Sequence, residues 1–161
     1  MKKIEIFTDG SCKGNPGPGG WAAVLLKENA TKPFSIIHGN ALQTTNNRME
    51  MMAVIESLRY VKTNDLQEKE INLYSDSNLV VQTINQGWKR KKNLDLWKQF
   101  DTLNKGLNIS YFWIKGHADN HWNEEVDALA LNEAKKADKF IRENGLPEEG
   151  LEPDEDQATL F

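Results

Sequence analysis

The sequence predicts one α/β domain that contains a five-stranded mixed sheet flanked by helices. Three observations indicate this fold class. The chain has 161 residues, an ordinary size for a single domain. Its strand-like runs are short and rich in β-branched and aromatic residues, whereas its longer segments repeat apolar residues at helical spacing. These segments occur in the order β-β-β-α-β-α-α-β-α, which predicts antiparallel strands first and parallel strands after the first long helix.

Three strands are predicted near the start of the chain. Residues 4–8 form a β-branched and aromatic run that ends at Asp9 in an Asp-Gly pair, so we expect a strand that enters a turn. The glycines and prolines of residues 14–20 predict a loop. Further strand-like runs at residues 21–27 and 34–39 suit an antiparallel hairpin.

Helices and strands alternate in the rest of the predicted domain. Asn46 or Asn47 is the expected N-cap of the first long helix, whose apolar residues recur at helical spacing. A strand is then predicted over residues 70–76, where it ends in Asp76. The remaining predicted elements are a short helix with Leu79, Val80 and Ile84, a helix over residues 94–103, a strand over residues 108–115 and a long helix that begins at Asn123 and continues to Phe140.

The charge is unevenly distributed and separates a body from a tail. The formal net charge is −4, but residues 1–142 carry 20 Lys and Arg against 17 Asp and Glu, whereas residues 143–161 carry seven acids and no base. Glycines and prolines interrupt the second part from Gly145 onward. We therefore predict a folded body over residues 1–142 and an acidic, flexible C-terminal tail over residues 143–161.

Composition excludes several classes of protein. A single Cys rules out a disulfide framework and a cysteine-rich zinc site, and it fits a reducing compartment, so we expect a cytoplasmic protein. The longest apolar run, residues 21–26, is far too short to cross a membrane. No membrane partner is therefore expected.

Two acidic residues are candidates for metal binding because each follows a predicted strand. Asp9 and Asp76 would lie side by side if their strands are parallel neighbours, since ligands bind at the carboxyl ends of strands in open α/β sheets. Two carboxylates that close need a shared proton or a cation, and oxygen ligands favour Mg²⁺ or Mn²⁺ over zinc. The alternative is ordinary turn chemistry, because Asp before Gly is common in turns.

Three further residues have both a functional and a structural interpretation. Glu50 suits either a catalytic site or a capping box in the first helical turn. Asp127, one turn into the last predicted helix, suits either a site or a favourable position in the helix dipole. His117 follows the last predicted strand and is either a proton-transfer group or an ordinary loop histidine.

One basic segment is a candidate for contact with nucleic acid. Trp88 is followed by four consecutive cations, Lys89, Arg90, Lys91 and Lys92, which suit a phosphate backbone with an aromatic stacking contact. A solvated charged face is the alternative.

Four short motifs follow one another along the predicted domain. They are Thr8-Asp9-Gly10-Ser11-Cys12 with Gly14-Asn15-Pro16-Gly17, then Thr44-Thr45-Asn46-Asn47-Arg48-Met49-Glu50, then Ser75-Asp76-Ser77, and finally Lys115-Gly116-His117-Ala118 with Asn123-Glu124-Glu125-Val126-Asp127. Each motif is weak by itself. In this order and with these spacings they resemble ribonuclease H type 1, the bacterial ribonuclease HI family, over residues 1–142. The resemblance implies the ribonuclease H fold.

The resemblance also implies an activity and a site. Asp9, Glu50, Asp76 and Asp127 match the acids that hold two Mg²⁺ ions in that family, with Mn²⁺ as a substitute. The implied reaction is two-metal-ion hydrolysis of the RNA strand of an RNA–DNA hybrid, which leaves 5′-phosphate and 3′-hydroxyl products. His117 matches a mobile histidine that assists proton movement or product release. The alternatives are a catalytically silent hybrid-binding module and another nuclease of the same fold.

Substrate contacts are implied in the same way. Thr45 and Arg48 match positions that help hold a phosphate of the DNA strand. The basic segment, residues 88–92, stands where many bacterial members carry a longer basic protrusion, so we expect weaker hybrid affinity than in those relatives. The residues that match minor-groove contacts are Gly10, Asn15, Asn46, Asn47 and Asn78, the last of which stands where Gln is frequent.

The final five residues resemble a different kind of motif. Gln157, Leu160 and Phe161 match the bacterial sliding-clamp-binding pentapeptide. An acidic end before a terminal Phe is also slightly similar to the tail of bacterial single-stranded-DNA-binding proteins. The alternative to both resemblances is a chance match, since five residues can match a motif by chance. The expected partners are therefore an RNA–DNA hybrid and, through the tail, a sliding clamp, and the protein is otherwise expected to be a monomer.

Overall fold

The computed structural model describes residues 2–115 and 120–147. Its elements are β1 (Lys3–Cys12), β2 (Gly17–Lys27), β3 (Ser35–Thr44), α1 (Asn46–Thr63), β4 (Glu70–Ser75), α2 (Asn78–Gln86), α3 (Leu94–Asn104), β5 (Asn108–Trp113) and α4 (His121–Asn144). The strands form one five-stranded sheet in the order β3-β2-β1-β4-β5. The predicted α/β fold and the predicted order of elements are confirmed.

The sheet is mixed in the way the sequence predicts. β1 pairs with β2 and β2 pairs with β3 in antiparallel fashion. β1 pairs with β4 and β4 pairs with β5 in parallel. Since β1 and β4 are parallel neighbours, the residues after Thr8 and Ser75, which are register partners, meet at one edge of the sheet.

The first two strands are longer than predicted at the glycine-rich end. β1 continues beyond Asp9 to Cys12, so Asp9 lies inside a strand, opposite Ala22 of β2. β2 begins at Gly17, and the prediction of a loop over residues 14–20 is therefore wrong for its second half. Pairing on both sides of β2 stabilises an extended backbone that local sequence alone does not favour.

The close approach of α4 to the sheet requires glycine at position 20 of β2. A Cβ on Gly20 would lie 2.4 Å from the backbone oxygen of Ala130 and 2.5 Å from the backbone nitrogen of Ala134. Both alanines are buried in α4. The missing side chain thus lets α4 lie directly on the sheet, which fixes the path of the helix that carries Asp127.

Three other boundaries differ from the prediction. β3 extends to Thr44, five residues further than expected, because it stays paired with β2 as far as Gly17. β5 ends at Trp113 and α4 begins at His121, each two residues earlier than expected.

The start of α1 is also corrected. Thr45, and not Asn46 or Asn47, is the N-cap, because its side chain accepts a hydrogen bond from the backbone N–H of Arg48. With this cap, Glu50 lies two positions beyond the site of a capping-box acid. The structural interpretation of Glu50 as a capping residue is therefore wrong.

The main core lies between the sheet and the helices α1 to α3. It includes Ile4, Ile6, Leu25, Ile55, Leu58, Ile71, Leu73 and Phe100, all buried. A smaller cluster on the α4 side contains Phe7, Val24, Leu26 and Val126. Within residues 2–115 and 120–147, no helix combines the length and apolar character that a membrane span requires.

A carboxylate cluster as candidate metal centre

Three carboxylates from three different elements meet at one edge of the sheet. Asp9 comes from β1, Glu50 from α1, and Asp76 from the residue directly after β4. Each offers one oxygen, and these oxygens all lie within 4.8 Å of one another. Asp9 and Glu50 are buried, whereas Asp76 is half-buried.

Gly10 brings the first two carboxylates together. Its backbone N–H donates to Oδ1 of Asp9 at 2.8 Å and to Oε1 of Glu50 at 3.0 Å. A Cβ on Gly10 would lie 2.3 Å from the backbone nitrogen of Glu50, so only glycine allows α1 to cross β1 here. Gly10, which the sequence places in the minor-groove set, is itself buried and serves to hold these two acids.

Burial makes the metal-free cluster retain a proton. It raises the pKa of Asp9 from 3.8 to about 8, and the neighbouring carboxyls of Asp76 and Asp127 act in the same direction. The pKa of Glu50 is also raised well above its usual value, first by burial and then by the negative charge of Asp9. Two adjacent carboxyl groups that are both buried cannot both ionise without a compensating cation.

The donor set fits a hard divalent cation. Oδ2 of Asp9 is buried and has no hydrogen-bond partner among the described residues. Leaving such an oxygen without a partner costs about 1–3 kcal/mol. A cation at this point would satisfy that oxygen and replace the retained proton, and an all-oxygen donor set suits Mg²⁺ or Mn²⁺.

Asp127 lies beside the cluster and is not one of its three closest members. α4 begins with Asn120 as N-cap, whose side chain accepts from the backbone N–H of Asn123 at 2.9 Å. Asp127 is exposed in the second turn of this helix. Its carboxyl lies close enough to that of Asp9 to raise the Asp9 pKa. The fourth acid therefore borders the cluster on its solvent side.

The backbone around Asp76 is fixed by β5. The N–H of Ile114 donates to the carbonyl of Ser75 at 2.9 Å. The indole Nε1 of Trp113 donates to the carbonyl of Asp76 at 3.1 Å. Trp113 lies in none of the four motifs, and its only sequence signal is its position two residues before the last motif.

Arg48 is engaged by protein groups. Its guanidinium donates to both carboxylate oxygens of Asp95, at 3.0 and 2.7 Å, and to Oδ1 of Asn93 at 3.1 Å. Hydrogen bonding from Arg48 holds the pKa of Asp95 below its usual value. The guanidinium is buried and joins α1 to the start of α3, and its contact with a phosphate of the DNA strand stays a prediction.

The polar residues predicted to contact substrate lie around the cluster with different exposures. Asn15 and Asn46 are exposed and joined, since the N–H of Asn46 donates to Oδ1 of Asn15 at 3.1 Å. Asn78 is exposed at the first residue of α2, and Asn47 is half-buried. Thr45 is buried, and its hydroxyl oxygen is occupied as the cap of α1.

The basic segment follows α2 and faces a shallow pocket. A pocket of about 230 Å³ is lined by Asn47, Trp97 and the cations of residues 89–92. Arg90 pairs with Asp101 at 2.6 Å and lies 4.5 Å above the ring of Trp97. Lys89, Lys91 and Lys92 are exposed, as is Trp88.

Some predicted residues lie outside the described parts of the chain. These are His117 and the three tail residues Gln157, Leu160 and Phe161. α4 extends to Asn144, two residues into the segment that the sequence assigns to the tail.

Sequence comparisons give a consistent family. The RNase H family model matches residues 1–135. A ribonuclease H of Campylobacter jejuni is 48% identical over 153 residues, which cover 89% of this chain and 97% of that protein. A ribonuclease H of Helicobacter acinonychis is 48% identical over 144 residues, which cover 84% of this chain and 96% of that protein. A ribonuclease H of Thermoanaerobacter pseudethanolicus is 42% identical over 147 residues, with coverages of 83% and 90%.

Solved structures have the same fold. The N-terminal RNase H domain of a Mycobacterium tuberculosis protein aligns with a TM-score of 0.78 at 27% identity, and the alignment covers 88% of this chain and 99% of that one. LC11-RNase H1, solved in complex with an RNA/DNA hybrid, aligns with a TM-score of 0.73 at 24% identity, with coverages of 83% and 98%. At that identity the second comparison concerns the fold alone.

Proposed function

The chain belongs to the RNase H family, and on that premise we propose that it is an endoribonuclease that hydrolyses the RNA strand of RNA–DNA hybrids. The observation that carries the proposal is the convergence of Asp9, Glu50 and Asp76 within 4.8 Å. Relatives that are 48% identical to this chain and are named ribonuclease H support the choice of activity. A catalytically silent hybrid-binding module is disfavoured, since clustered carboxylates would repel phosphates unless they hold cations.

The acids would hold two divalent ions, Mg²⁺ by preference with Mn²⁺ as a substitute. Asp9, Glu50 and Asp76 supply the converging oxygens, and Asp127 supplies a carboxylate on the solvent side. When bound, such ions act as Lewis acids at the scissile phosphate and lower the pKa of an attacking water. The buried, unpartnered Oδ2 of Asp9 supports this assignment.

The chain's own groups prepare this site before substrate arrives. The Gly10 N–H orients the carboxylates of Asp9 and Glu50, so little rearrangement is needed when a cation replaces the retained proton. In the reaction, water adds to the phosphorus while the bond to the 3′ oxygen breaks, and a proton passes to that oxygen. The products then carry a 5′-phosphate and a 3′-hydroxyl. We assign His117 to proton movement or product release.

Substrate recognition is assigned to the polar groups around the cluster. The exposed amides of Asn15, Asn46 and Asn78 can both donate and accept, which suits minor-groove edges and the 2′-hydroxyl that distinguishes RNA from DNA. The basic segment of residues 88–92 would bind backbone phosphate. Arg90 also pairs with Asp101, and the three lysines of the segment are exposed, so we assign all four cations to this attraction.

A test of the assigned site compares Asp76→Asn with a matched control. Asp65→Asn is suitable, because Asp65 lies in an exposed turn at a φ of 55° that Asn tolerates well. With end-labelled hybrid and Mg²⁺, the wild type and the control are expected to release fragments with 5′-phosphate ends. Asp76→Asn is expected to fold normally and lose at least ~100-fold in cleavage rate. Cleavage by Asp76→Asn at the control's rate would remove Asp76 from the site.

The tail is proposed to bind a bacterial sliding clamp through Gln157, Leu160 and Phe161. A short segment that orders on contact would bind with modest affinity. Retention on immobilised clamp is expected for the full chain and is expected to be lost by a variant truncated after Asp156. Equal retention of the two proteins would refute the assignment.

Three coarser features complete the proposal. We propose that the catalytic domain spans residues 1–142 and that residues 143–161 form a tail. We also propose a monomer in the cytoplasm, with the hybrid as its main partner.

A further inference from the structure

Strand β5 supplies a side chain that reaches the backbone of the candidate metal centre. Trp113 is the last residue of β5 and is 46% exposed. The indole Nε1 donates to the backbone carbonyl of Asp76 at 3.1 Å. An indole at the surface can donate to water equally well, so a direct bond to this carbonyl is a specific placement.

The contact acts on a stretch without regular structure. β4 ends at Ser75 and α2 begins at Asn78, so Asp76 belongs to neither element. The Ile114 N–H donates to the Ser75 carbonyl and extends the β4–β5 ladder by one step. The Trp113 indole N–H donates to the next carbonyl along the chain, that of Asp76. The backbone on both sides of the Asp76 Cα is thereby held by β5.

The other two carboxylates are held differently. Asp9 and Glu50 are buried and both accept from the Gly10 N–H. Within residues 2–115 and 120–147, no hydrogen bond holds the carboxylate of Asp76 itself. The position of that carboxylate therefore depends on how firmly its backbone is fixed.

We propose that Trp113 is a positioning residue for Asp76. Its indole N–H keeps the Asp76 carboxylate beside Asp9 and Glu50 and thereby raises the affinity of the cluster for a divalent cation. The inference rests on the proposed function in one respect, that Asp76 is a metal ligand. It involves no contact between Trp113 and substrate.

The direct test is metal binding by the full chain without nucleic acid. Trp113→Phe keeps an aromatic ring and removes the N–H. The matched control is Phe112→Leu, since Phe112 precedes Trp113 in β5, is 43% exposed and makes no hydrogen bond to Asp76. Mn²⁺ binding is measured by calorimetry. The dissociation constant is expected to rise about tenfold in Trp113→Phe and to change less than about twofold in the control.

A second variant separates the hydrogen bond from packing. Benzothienylalanine incorporated at position 113 has nearly the shape of Trp and lacks the N–H, so it is expected to show the same tenfold loss. In hybrid cleavage, both N–H-deficient variants are expected to need about tenfold more Mn²⁺ for half-maximal rate. Their kcat at saturating Mn²⁺ and their KM for hybrid are expected to stay within about twofold of wild type.

The possible outcomes separate the two proposals. Wild-type Mn²⁺ affinity in both Trp113 variants, or an equal loss in Phe112→Leu, would overturn the role of Trp113 and leave the nuclease assignment intact. A wild type that binds Mn²⁺ but cleaves no hybrid would refute the proposed function and leave the role of Trp113 standing. A wild type that binds no Mn²⁺ would overturn both.

Discussion

Replacing Asp9 by Asn is expected to stabilise the metal-free protein at neutral pH while it abolishes metal binding. Asn keeps the oxygen that accepts from Gly10 at 2.8 Å, and it puts an N–H donor where Oδ2 is buried without a partner. It also removes a carboxyl whose pKa burial raises from 3.8 to about 8. Between about pH 4 and pH 8 the folded wild type holds a proton that the unfolded chain has lost. Wild-type stability must therefore fall as the pH rises through this window.

The magnitude of the gain follows from the width of the pKa shift. One pKa unit corresponds to about 1.36 kcal/mol, and pH 7 lies roughly three units above the unfolded value. The penalty that Asp9 imposes at pH 7 is thus at most about 4 kcal/mol, and at pH 5 at most about 1.5 kcal/mol. Because Asp9 shares its environment with Glu50, we expect a measured gain of about 2 kcal/mol at pH 7 and under about 1 kcal/mol at pH 5.

Urea unfolding in EDTA at pH 5, 7 and 9 measures this gain. Glu68→Gln is the control, since it also replaces one acid by its amide and Glu68 lies in an exposed turn before β4, outside the carboxylate cluster. Addition of Mg²⁺ should then stabilise the wild type and leave Asp9→Asn unchanged, because only a folded state that binds the ion gains from it. A variant that is no more stable than wild type at pH 9, or that gains equally at pH 5 and pH 9, would refute the burial argument.

Three further perturbations test other parts of the structure. Gly20→Ala is expected to cost about 2–3 kcal/mol, because its Cβ would lie 2.4 Å from the carbonyl oxygen of Ala130 and push α4 from the sheet; a wild-type thermal midpoint would contradict this packing. Arg48→Met is expected to lower the free energy of unfolding in urea by about 1–2 kcal/mol, and the loss is small because its partner Asp95 is half exposed. An equal loss for Arg48→Met in the Asp95→Asn background would argue against the pairing. Replacing residues 89–92 by Ala is expected to weaken hybrid binding. The slope of the logarithm of the binding constant against the logarithm of the salt concentration is expected to become about 2–3 less steep, and an unchanged slope would remove this segment from the interface.

Local sequence signals predicted the order of the elements better than their ends. The glycine-rich start of β2 is typical of a loop when it is considered by itself. It is a strand because β1 and β3 pair on either side of it and because α4 needs room above Gly20. Contacts between residues far apart in the chain decide such a case, and a local pattern does not contain them.

The candidate site was predictable to different degrees. The position of Asp76 after a strand indicated a site directly, whereas Asp9 lies inside β1 and was singled out through an incorrect strand end. Glu50 joins the cluster only because α1 crosses Gly10, so the resemblance of its motif was needed to group it. Trp113 gave no signal of its own, since the carbonyl that it binds belongs to a residue 37 positions away in the chain.

The claim that most needs testing is that the carboxylate cluster cuts RNA only where the RNA is paired with DNA. The full chain is incubated in Mg²⁺ with an RNA–DNA hybrid, a double-stranded RNA and a double-stranded DNA of one sequence, each with either strand end-labelled. We expect cleavage of the RNA strand of the hybrid, and no cleavage of its DNA strand or of the two other duplexes. Cleavage of double-stranded RNA or DNA at a comparable rate, or no cleavage of the hybrid, would contradict the assignment.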